Sequence, residues 1–338
     1  PGFHPNDDVN RSQSSNDVIP TAIHLAAREA VHDELLPVLA RLEDSLAARA
    51  AARDDVVKPG RTHLMDATPV TVGQELRGYA RQVALARERT ERAADELAEL
   101  ALGGTAVGTG INCPPGFAER AIAQLTARTG RAYREASDHF AAQGGQEPAL
   151  ALSGALRAAA VALYKIASDV RLLASGPRTA IGELVLPALQ PGSSIMPGKV
   201  NPVMSEVMTQ VAAQVVGHDA AIAVGALGGQ LELNTFLPLI ARNLLASIRL
   251  LASAAALFTE RCVDGLDADR ARARFLVEQS LMLATALAPR IGYDAAAELA
   301  KAAHASGRSL REVARERGVL PEHELDELLD PRRQTRGG

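Results

Sequence analysis

Apolar residues recur every three or four positions along most of the chain, which is the spacing of a helix that buries one face. In residues 18–53 this face includes Ile23, Val31 and Leu35. Five long helices with this spacing in one chain predict a helical bundle. Besides residues 18–53, the predicted long helices cover about residues 72–101, 148–174, 203–224 and 238–260, and a shorter helix covers about residues 117–129.

The pattern changes after Gly265, where the predicted helices become shorter and Pro and Gly separate them. Residues 266–338 are therefore predicted to form a small C-terminal helical domain, and residues 15–265 the central bundle. The chain starts at Pro1, without Met, inside a polar motif. We expect residues 1–14 to be the remnant of an N-terminal domain whose first part is missing. The predicted fold class is all-α, with a five-helix central domain.

The composition supports a helical fold, because aromatic residues make up only 3% of the chain and Trp is absent. A β-sandwich is typically richer in aromatic and β-branched residues. Basic and acidic residues are interspersed and the formal net charge is -4, which predicts no nucleic-acid partner. The apolar stretch 237–258 is interrupted by Arg242 and Arg249, so we predict no transmembrane helix and no membrane partner.

The chain contains only two cysteines, Cys113 and Cys262, and neither has a Cys or His neighbour at the spacing of a metal site. Two cysteines are too few for the disulfide framework that is typical of small secreted domains. We therefore predict a cytoplasmic protein without a bound metal.

Three segments interrupt the helical pattern with polar residues, Gly and Pro, and each offers side chains that can carry chemistry. Asn16 or Asp17 can cap a helix that begins near Val18, and the N–H groups at a helix N-terminus favour anions. Ser193 and Lys199 bring a hydroxyl and a cation into one loop, although a plain connector explains that loop better when it is taken alone. The three segments are HPNDDVNRSQSSND (residues 4–17), GRTHLMDATPVTVGQE (60–75) and GSSIMPGKVNP (192–202).

In this order and at these separations, the three segments resemble the fumarase/aspartase superfamily. The likeness also includes LGGTAVGTGIN (102–112), LELN (231–234) and IGYDAAAELAKAAH (291–304), but nothing matches the N-terminal part of the family pattern. Within the superfamily the closest likeness is to class II fumarate hydratase, because of Pro-Gly-Lys in the third segment, SSND in the first and His63 in the second. The resemblance implies the superfamily's all-α fold, without a metal or an organic cofactor.

The resemblance further implies a lyase of the tricarboxylic acid cycle that interconverts fumarate and (S)-malate. Water would be added and eliminated in the anti sense, through an aci-carboxylate intermediate. Ser193 is expected to be the base, and His63 is expected to orient a site water or the leaving group with Glu206 as its acidic partner. The residues expected to bind substrate are Ser14, Ser15, Asn16, Thr62, Lys199 and Asn201, and those expected to form a second, non-catalytic anion site are His4, Asn6 and Asp7.

Several of these residues have a structural explanation as well. Turn formation explains Asn6 and Asp7 nearly as well as anion binding, and a first-turn helix acid explains Glu206 equally well. Ser14 can be a helix cap and a substrate ligand at once. The stretch 137–154 departs from the pattern of typical fumarases.

The assembly implied by the resemblance is a homotetramer whose active sites are shared between chains and take a small dicarboxylate. Two alternatives stay open. One is an aspartate ammonia-lyase, or another C4-dicarboxylate lyase that releases fumarate. The other is a non-catalytic helical assembly protein that keeps the fold and has lost the activity.

Overall fold

Helices form most of the chain in the computed structural model, which describes residues 2–336. The all-α prediction is confirmed, since the strands pair only in twos. The described residues do not include Pro1, Gly337 and Gly338, which are terminal residues of the predicted segments 1–14 and 266–338. Helices α1 to α13 span, in order, Ser15–Ala30, Leu36–Ala52, Val72–Glu96, Phe117–Thr129, His139–Gly144, Glu147–Leu173, Val203–Ala226, Leu237–Arg261, Arg270–Gln279, Ala288–Ile291, Tyr293–Ser306, Leu310–Glu316 and Glu322–Leu328.

The five predicted long helices are present, each within a few residues of its expected bounds. Helices α1 and α2 form one continuous helical stretch, because the π-helical turn Val31–Leu35 joins them. In α8 the apolar residues spaced three and four positions apart are buried, with Ile240, Leu244, Ile248 and Phe258 inaccessible to solvent. The spacing of apolar residues therefore located both the helices and their buried faces.

The start of α1 differs from the prediction, which placed the cap at Asn16 or Asp17 and the first helical residue near Val18. Ser14 is the N-cap: its Oγ accepts the N–H of Asn16 at 3.2 Å, and the carboxylate of Asp17 accepts the N–H of Ser14 at 2.9 Å. This is a capping box, in which the acid belongs at the third helical position and the hydroxyl at the cap.

Short strands fill several of the connections. The region around residues 56–71 appeared in the sequence as an irregular break, but it forms an antiparallel hairpin of two strands. The other strands are two residues long and pair β3 with β4, β5 with β8 and β6 with β7. Strands β1 to β8 span, in order, Val57–Thr62, Met65–Thr71, Glu99–Leu100, Arg134–Glu135, Leu184–Val185, Gly229–Gln230, Leu233–Asn234 and Asp267–Ala268.

The chain divides into two compact units, each assembled from three separate segments. The predicted boundaries at residues 14/15 and 265/266 describe contiguous domains instead, and they stay predictions. The first unit comprises Pro1–Glu43, Gln82–Ser168 and Val203–Thr259, and the second comprises Asp44–Arg81, Asp169–Pro202 and Glu260–Gly338.

Each unit contains its own cluster of buried apolar side chains. In the first unit Leu100, Ile122 and Tyr133 pack together beneath the glycine-rich segment that follows β3. In the second unit Leu287 and Leu299 belong to a larger cluster formed by the C-terminal helices. Val18, near the start of α1, packs against the first cluster, and Val57, the first residue of β1, packs against the second.

Three helical spans are long and apolar enough to cross a membrane, judged by length and composition alone. Each of the three spans contains charged residues, and the absence of a transmembrane helix stays a prediction. The three spans are Glu147–Leu173, Val203–Ala226 and Leu237–Gly265.

Candidate active-site segments

In the first unit, the N-terminus of α1 presents Ser14, Ser15 and Asn16, which are the residues predicted to grip a substrate carboxylate. The side-chain amide of Asn16 donates to the carbonyl oxygen of Ala106 at 2.8 Å, so Asn16 also contacts the glycine-rich loop, residues 102–112. Ser15 is exposed, with its Oγ 3.4 Å from Oδ1 of Asn16. The structure therefore brings together two of the segments that carried the family resemblance.

Asp17 joins these two segments more firmly, and the sequence analysis treated it only as a possible cap. Its side chain is fully buried. One carboxylate oxygen accepts the N–H of Ser14, and the other accepts the N–H groups of Gly103 at 3.0 Å and Thr105 at 3.1 Å. A carboxylate three residues after a Ser cap was visible in the sequence, but its contacts 86 and 88 residues away were not.

A cavity of about 860 Å³ lies beside this cluster. Ser14 lines it together with Asn6 and Asp7, two of the residues predicted for a second anion site. The third, His4, caps the π-helical turn Pro5–Val9 instead: its Nδ1 accepts the N–H of Asp7 at 3.1 Å. In the described structure, residues assigned to two separate predicted sites thus border one cavity.

Helix α5 contacts the glycine-rich loop through the side chains of His139 and Gln143. The amide of Gln143 donates to the carbonyl oxygen of Thr105 at 2.9 Å, and a Cβ at Gly104 would lie 2.1 Å from Oε1 of Gln143. A ring nitrogen of His139 lies 3.2 Å from the carbonyl oxygen of Leu102. The atypical stretch 137–154 therefore contacts the loop directly.

Cys113 directly follows the glycine-rich loop, but the electrostatic surroundings of its thiol do not favour a thiolate. Burial raises the pKa of Cys113, and the negative charges of Asp17 and Glu135 raise it further. Cys113 is therefore not suited to be a nucleophile here.

In the second unit, Thr62 and His63 lie at the tip of the β1–β2 hairpin. Thr62 pairs with Met65, so His63 and Leu64 form the two-residue turn, with φ angles of 56° and 62°. Two positive φ values are typical of a type I′ turn, in which Asn and Gly are the favoured residues. Backbone strain of this kind costs about 1–3 kcal/mol per residue and is concentrated at functional sites. The strained turn exposes the His63 side chain.

Ser193 lies in a tightly closed loop whose ends are joined by hydrogen bonds. The N–H of Gly192 donates to the carbonyl oxygen of Lys199 at 2.6 Å, and the side-chain amide of Asn201 donates to the carbonyl oxygen of Gly192 at 2.9 Å. A Cβ at Gly192 would lie 2.6 Å from the oxygen of Lys199, so only glycine fits. Asn201 thus supports the loop, in addition to its predicted contact with substrate.

The hydroxyl of Ser193 is the acceptor for two backbone N–H groups of its own loop. Its Oγ lies 3.2 Å from the nitrogen of Ile195 and 3.0 Å from that of Met196. Two convergent N–H donors favour negative charge on the oxygen that they contact. The arrangement can therefore stabilise the anion that a serine base requires.

The two remaining predicted residues, Lys199 and Glu206, flank the start of α7. The Lys199 side chain is exposed on the loop, where its charge is available to an anion. Glu206 is half-buried in the first turn of α7. Its predicted pairing with His63 stays a prediction. Within residues 2–336, no group of three or more His, Cys, Asp and Glu side chains that could hold a metal ion occurs.

Comparisons with known proteins agree over nearly the whole chain. The family model described as "Lyase" matches residues 2–217, and the model described as "Fumarase C C-terminus" matches residues 283–336. A protein of Corynebacterium efficiens named "Fumarate hydratase class II" is 53% identical over 333 residues, which cover 97% of this chain and 70% of that protein. The "Fumarate hydratase, mitochondrial" of Rattus norvegicus is 51% identical, with 97% of this chain and 65% of that protein covered.

A solved structure gives the same result in three dimensions. The class II fumarase from Schistosoma mansoni superposes with a TM-score of 0.95 at 40% sequence identity. The superposition covers 98% of this chain and 73% of the other.

Proposed function

The chain belongs to the lyase family that includes the class II fumarate hydratases, and from that membership we propose that it catalyses the reversible hydration of fumarate to (S)-malate. The observation that carries the proposal is the Ser193 hydroxyl, which accepts two backbone N–H groups in a closed loop. Ser193 as an alkoxide removes the proton on C3 of malate. The electron pair of that C–H bond moves onto the adjoining carboxylate, which gives the aci-carboxylate intermediate.

The second half of the reaction expels the hydroxyl group at C2. As the pair on the aci-carboxylate returns to form the C2–C3 double bond, the C2–O bond breaks, and a proton delivered through a water oriented by His63 makes the leaving group neutral. Glu206 supports His63, and Lys199 stabilises the charge that develops on the substrate. Fixed donors of this kind act most strongly on the intermediate, where the charge is greatest.

The substrate in this proposal is a small dicarboxylate. Ser14, Ser15 and Asn16 bind one carboxylate at the N-terminus of α1, where the helix dipole favours anions. Thr62 and Asn201 supply further contacts. The cavity of about 860 Å³ next to Ser14 is large enough for a four-carbon acid, and Asn6 and Asp7, with His4, remain the candidates for a second anion site.

The proposal includes a homotetramer with shared active sites in the cytoplasm. The long helices support association, because they expose large apolar side chains in the single chain, among them Val161, Val224 and Leu257. Large exposed apolar surfaces on helices are typical of protein interfaces. Neither Cys113 nor Cys262 forms a disulfide bond in the structure, which suits a reducing compartment.

Two other functions compete with this one. An aspartate ammonia-lyase would use the same base and the same fold and would release ammonia instead of water. An inactive helical assembly protein would keep the apolar helix surfaces and the fold alone. The strained turn at His63 and Leu64 favours an enzyme, because backbone strain of this kind is concentrated at functional sites.

The deciding experiment follows the ultraviolet absorbance of fumarate while the full chain is offered malate, aspartate or argininosuccinate. We expect fumarate from malate and none from the other two. In Ser193→Ala the kcat should fall about 10²- to 10⁴-fold, the range of a lost general base. The neighbouring hydroxyl provides the control, since Ser194→Ala should keep most of the activity.

Gel filtration with light scattering should show the same assembly for both variants. Fumarate release from aspartate and not from malate would show that the chain is an ammonia-lyase. Unchanged turnover in Ser193→Ala would exclude Ser193 as the base, and no turnover of any of the three substrates would favour the assembly protein.

A further inference from the structure

A network of four charged side chains, two of them fully buried, includes two cations of the hairpin that carries Thr62 and His63. Its centre is Glu183, whose side chain is fully buried. Arg61 donates to both carboxylate oxygens of Glu183, at 3.0 and 2.7 Å. The ammonium of Lys58, which is also buried, lies 3.2 Å from Glu183 and 3.1 Å from Glu75. Two cations and two carboxylates therefore balance one another.

Both the N–H and the carbonyl oxygen of Glu183 form main-chain hydrogen bonds, which fix the position of this residue within the second unit. Its N–H donates to the carbonyl oxygen of Leu173, and its carbonyl oxygen accepts the N–H of Asp269, both at 2.9 Å. The next residue begins β5, which pairs with β8. Ten positions further along the chain lies Ser193.

Both cations that bind Glu183 belong to β1, the strand that delivers the hairpin turn. Lys58 and Arg61 lie three positions apart, a spacing that directs side chains to opposite faces of a regular strand. The strand pairing is irregular between them, with a register shift between Pro59 and Gly60. A Cβ at Gly60 would lie 2.5 Å from the carbonyl oxygen of Thr68, so the irregularity requires glycine. The distorted strand allows both cations to reach one carboxylate.

The distorted strand ends in a strained turn, and strain of this kind persists only where the surrounding structure holds it. Arg61 directly precedes Thr62 and lies two positions before His63. Its planar guanidinium binds the carboxylate through two parallel hydrogen bonds, which fix orientation as well as distance. The contact is therefore suited to set the direction in which β1 enters the turn.

We propose that Glu183 is the positioning residue that holds Thr62 and His63 in their working geometry, through its paired contacts with Arg61 and Lys58. The proposal rests on the proposed function, since it assigns a purpose to the hairpin in the hydratase reaction. Glu183 itself does not touch the substrate. It aligns the residues that do, and because its own segment leads to the Ser193 loop, it ties the hairpin to the chain that bears the base.

The charge balance supports this role. Burial lowers the pKa of Arg61, but the hydrogen bonds and the charge of Glu183 outweigh burial, and the pKa is raised. Arg61 therefore stays a cation throughout the working pH range. Removing the charge of Glu183 leaves one excess positive charge in a buried place, while removing Lys58 as well restores the balance without restoring the double contact with Arg61.

The double variant restores the charge balance but not the contact with Arg61. It can therefore distinguish a positioning role of Glu183 from a purely structural one. The test compares Glu183→Gln with the double variant Lys58→Met/Glu183→Gln in the full chain, by thermal unfolding and by steady-state kinetics with malate. We expect Glu183→Gln to lower both the melting temperature and kcat/KM, the latter about 100-fold, as a misplacement near 1 Å would. In the double variant we expect the melting temperature to recover and kcat/KM to stay low.

A control is Asp219 in the other unit, a buried carboxylate that accepts the hydroxyl of Ser153 at 2.7 Å and lies 3.0 Å from the exposed Arg157. Asp219→Asn should lower the melting temperature and leave kcat/KM nearly unchanged at a temperature where the variant is folded. Recovery of kcat/KM together with the melting temperature in the double variant would overturn the proposal. So would a loss of kcat/KM in Asp219→Asn as large as that in Glu183→Gln.

A spectroscopic measurement keeps the proposal testable if malate is not the substrate. The ring C–H signals of His63 in the nuclear magnetic resonance spectrum are assigned by their loss in His63→Gln. We expect them to shift or broaden in Glu183→Gln and in the double variant, and to stay unchanged in Asp219→Asn. Unchanged signals in Glu183→Gln would refute the positioning role, whereas an absence of malate turnover in the unaltered chain would refute the proposed function alone.

Discussion

Asp17 in the first unit and Glu183 in the second are both fully buried carboxylates beside candidate site residues, yet they are stabilised by different partners. Asp17 accepts hydrogen bonds from three backbone N–H groups, those of Ser14, Gly103 and Thr105. Glu183 accepts from the side chains of Lys58 and Arg61, which carry full positive charges. One carboxylate is held by dipoles and the other by ions.

The difference determines what happens when each charge is removed. Three N–H dipoles without their anion are unpaired but neutral, and an amide oxygen can still accept from some of them. Two cations without their anion leave a net charge in a buried place, which costs several kcal/mol more than an unpaired dipole. The second unit should therefore depend more strongly on its carboxylate than the first.

The largest expected effect on stability is that of Glu183→Gln. We expect the free energy of unfolding to fall by about 3–5 kcal/mol, the usual cost of removing one partner from a buried ion pair. Urea unfolding of the full chain, followed by circular dichroism, measures it. A loss below about 1 kcal/mol would mean that solvent screens Lys58 and Arg61 despite their burial, and the contrast with Asp17 would disappear.

The corresponding change in the first unit, Asp17→Asn, should cost less, about 1–3 kcal/mol, which is the range for leaving buried donors unsatisfied. It should also raise the KM for malate, because Ser14 and the glycine-rich loop lose their common acceptor. The control is Asp138→Asn, since Asp138 is an exposed cap that accepts one N–H at 3.0 Å. Asn caps helices as well as Asp does, so this variant should change neither quantity. An equal loss in Asp17→Asn and Glu183→Gln would contradict the distinction between dipoles and ions.

The smallest expected effect concerns His24, which lies on the same helix as Asp17. Burial lowers the pKa of His24 below its ordinary value of 6.5, although the carbonyl oxygen and charge of Glu99 act in the opposite direction. The unfolded chain therefore binds a proton at higher pH than the folded chain does. Stability is then unaffected above pH 6.5 and is lost as the pH falls below it, by at most about 1.4 kcal/mol per pH unit.

His24→Asn keeps a nitrogen donor near the position of Nδ1 but cannot titrate, so its free energy of unfolding should fall less steeply between pH 6.5 and 5. Unfolding in urea at several pH values measures the slope. His304→Asn removes an exposed histidine and should leave the slope of the unaltered chain in place. Equal slopes for His24→Asn and the unaltered chain would show that His24 is not the group responsible.

Much of the fold could be predicted from the spacing of apolar residues, because burial of one helix face is a local pattern repeated many times. The bounds of α4 were predicted correctly, and those of α6, α7 and α8 within two residues. The hairpin at Val57–Thr71 was missed, since Pro59, Gly60 and Pro69 are strand breakers in isolation. The pairing shifts register between Pro59 and Gly60, and Lys58 and Arg61 of the same strand contact the distant Glu183.

Within the candidate site, the segments that contain the site residues were predicted, but the residues that support them were not. Ser14 to Asp17 could be interpreted as a cap because a capping box spans four consecutive positions. Arg61 and Glu183 are separated by 122 positions, and no spacing rule connects a strand residue to an acid that far along the chain. Gln143 and Thr105 meet across 38 positions for the same reason.

Local information in the chain is therefore sufficient for most of the helices and their buried faces, and for recognising each of the three polar segments. These features depend on residues at most a few positions apart. Folding alone decided that Asp17 holds the glycine-rich loop, that Glu183 holds the hairpin, and that His63 occupies a strained turn. A buried charge is tolerable only where its partners surround it, and those partners come from distant segments that meet only in the folded chain.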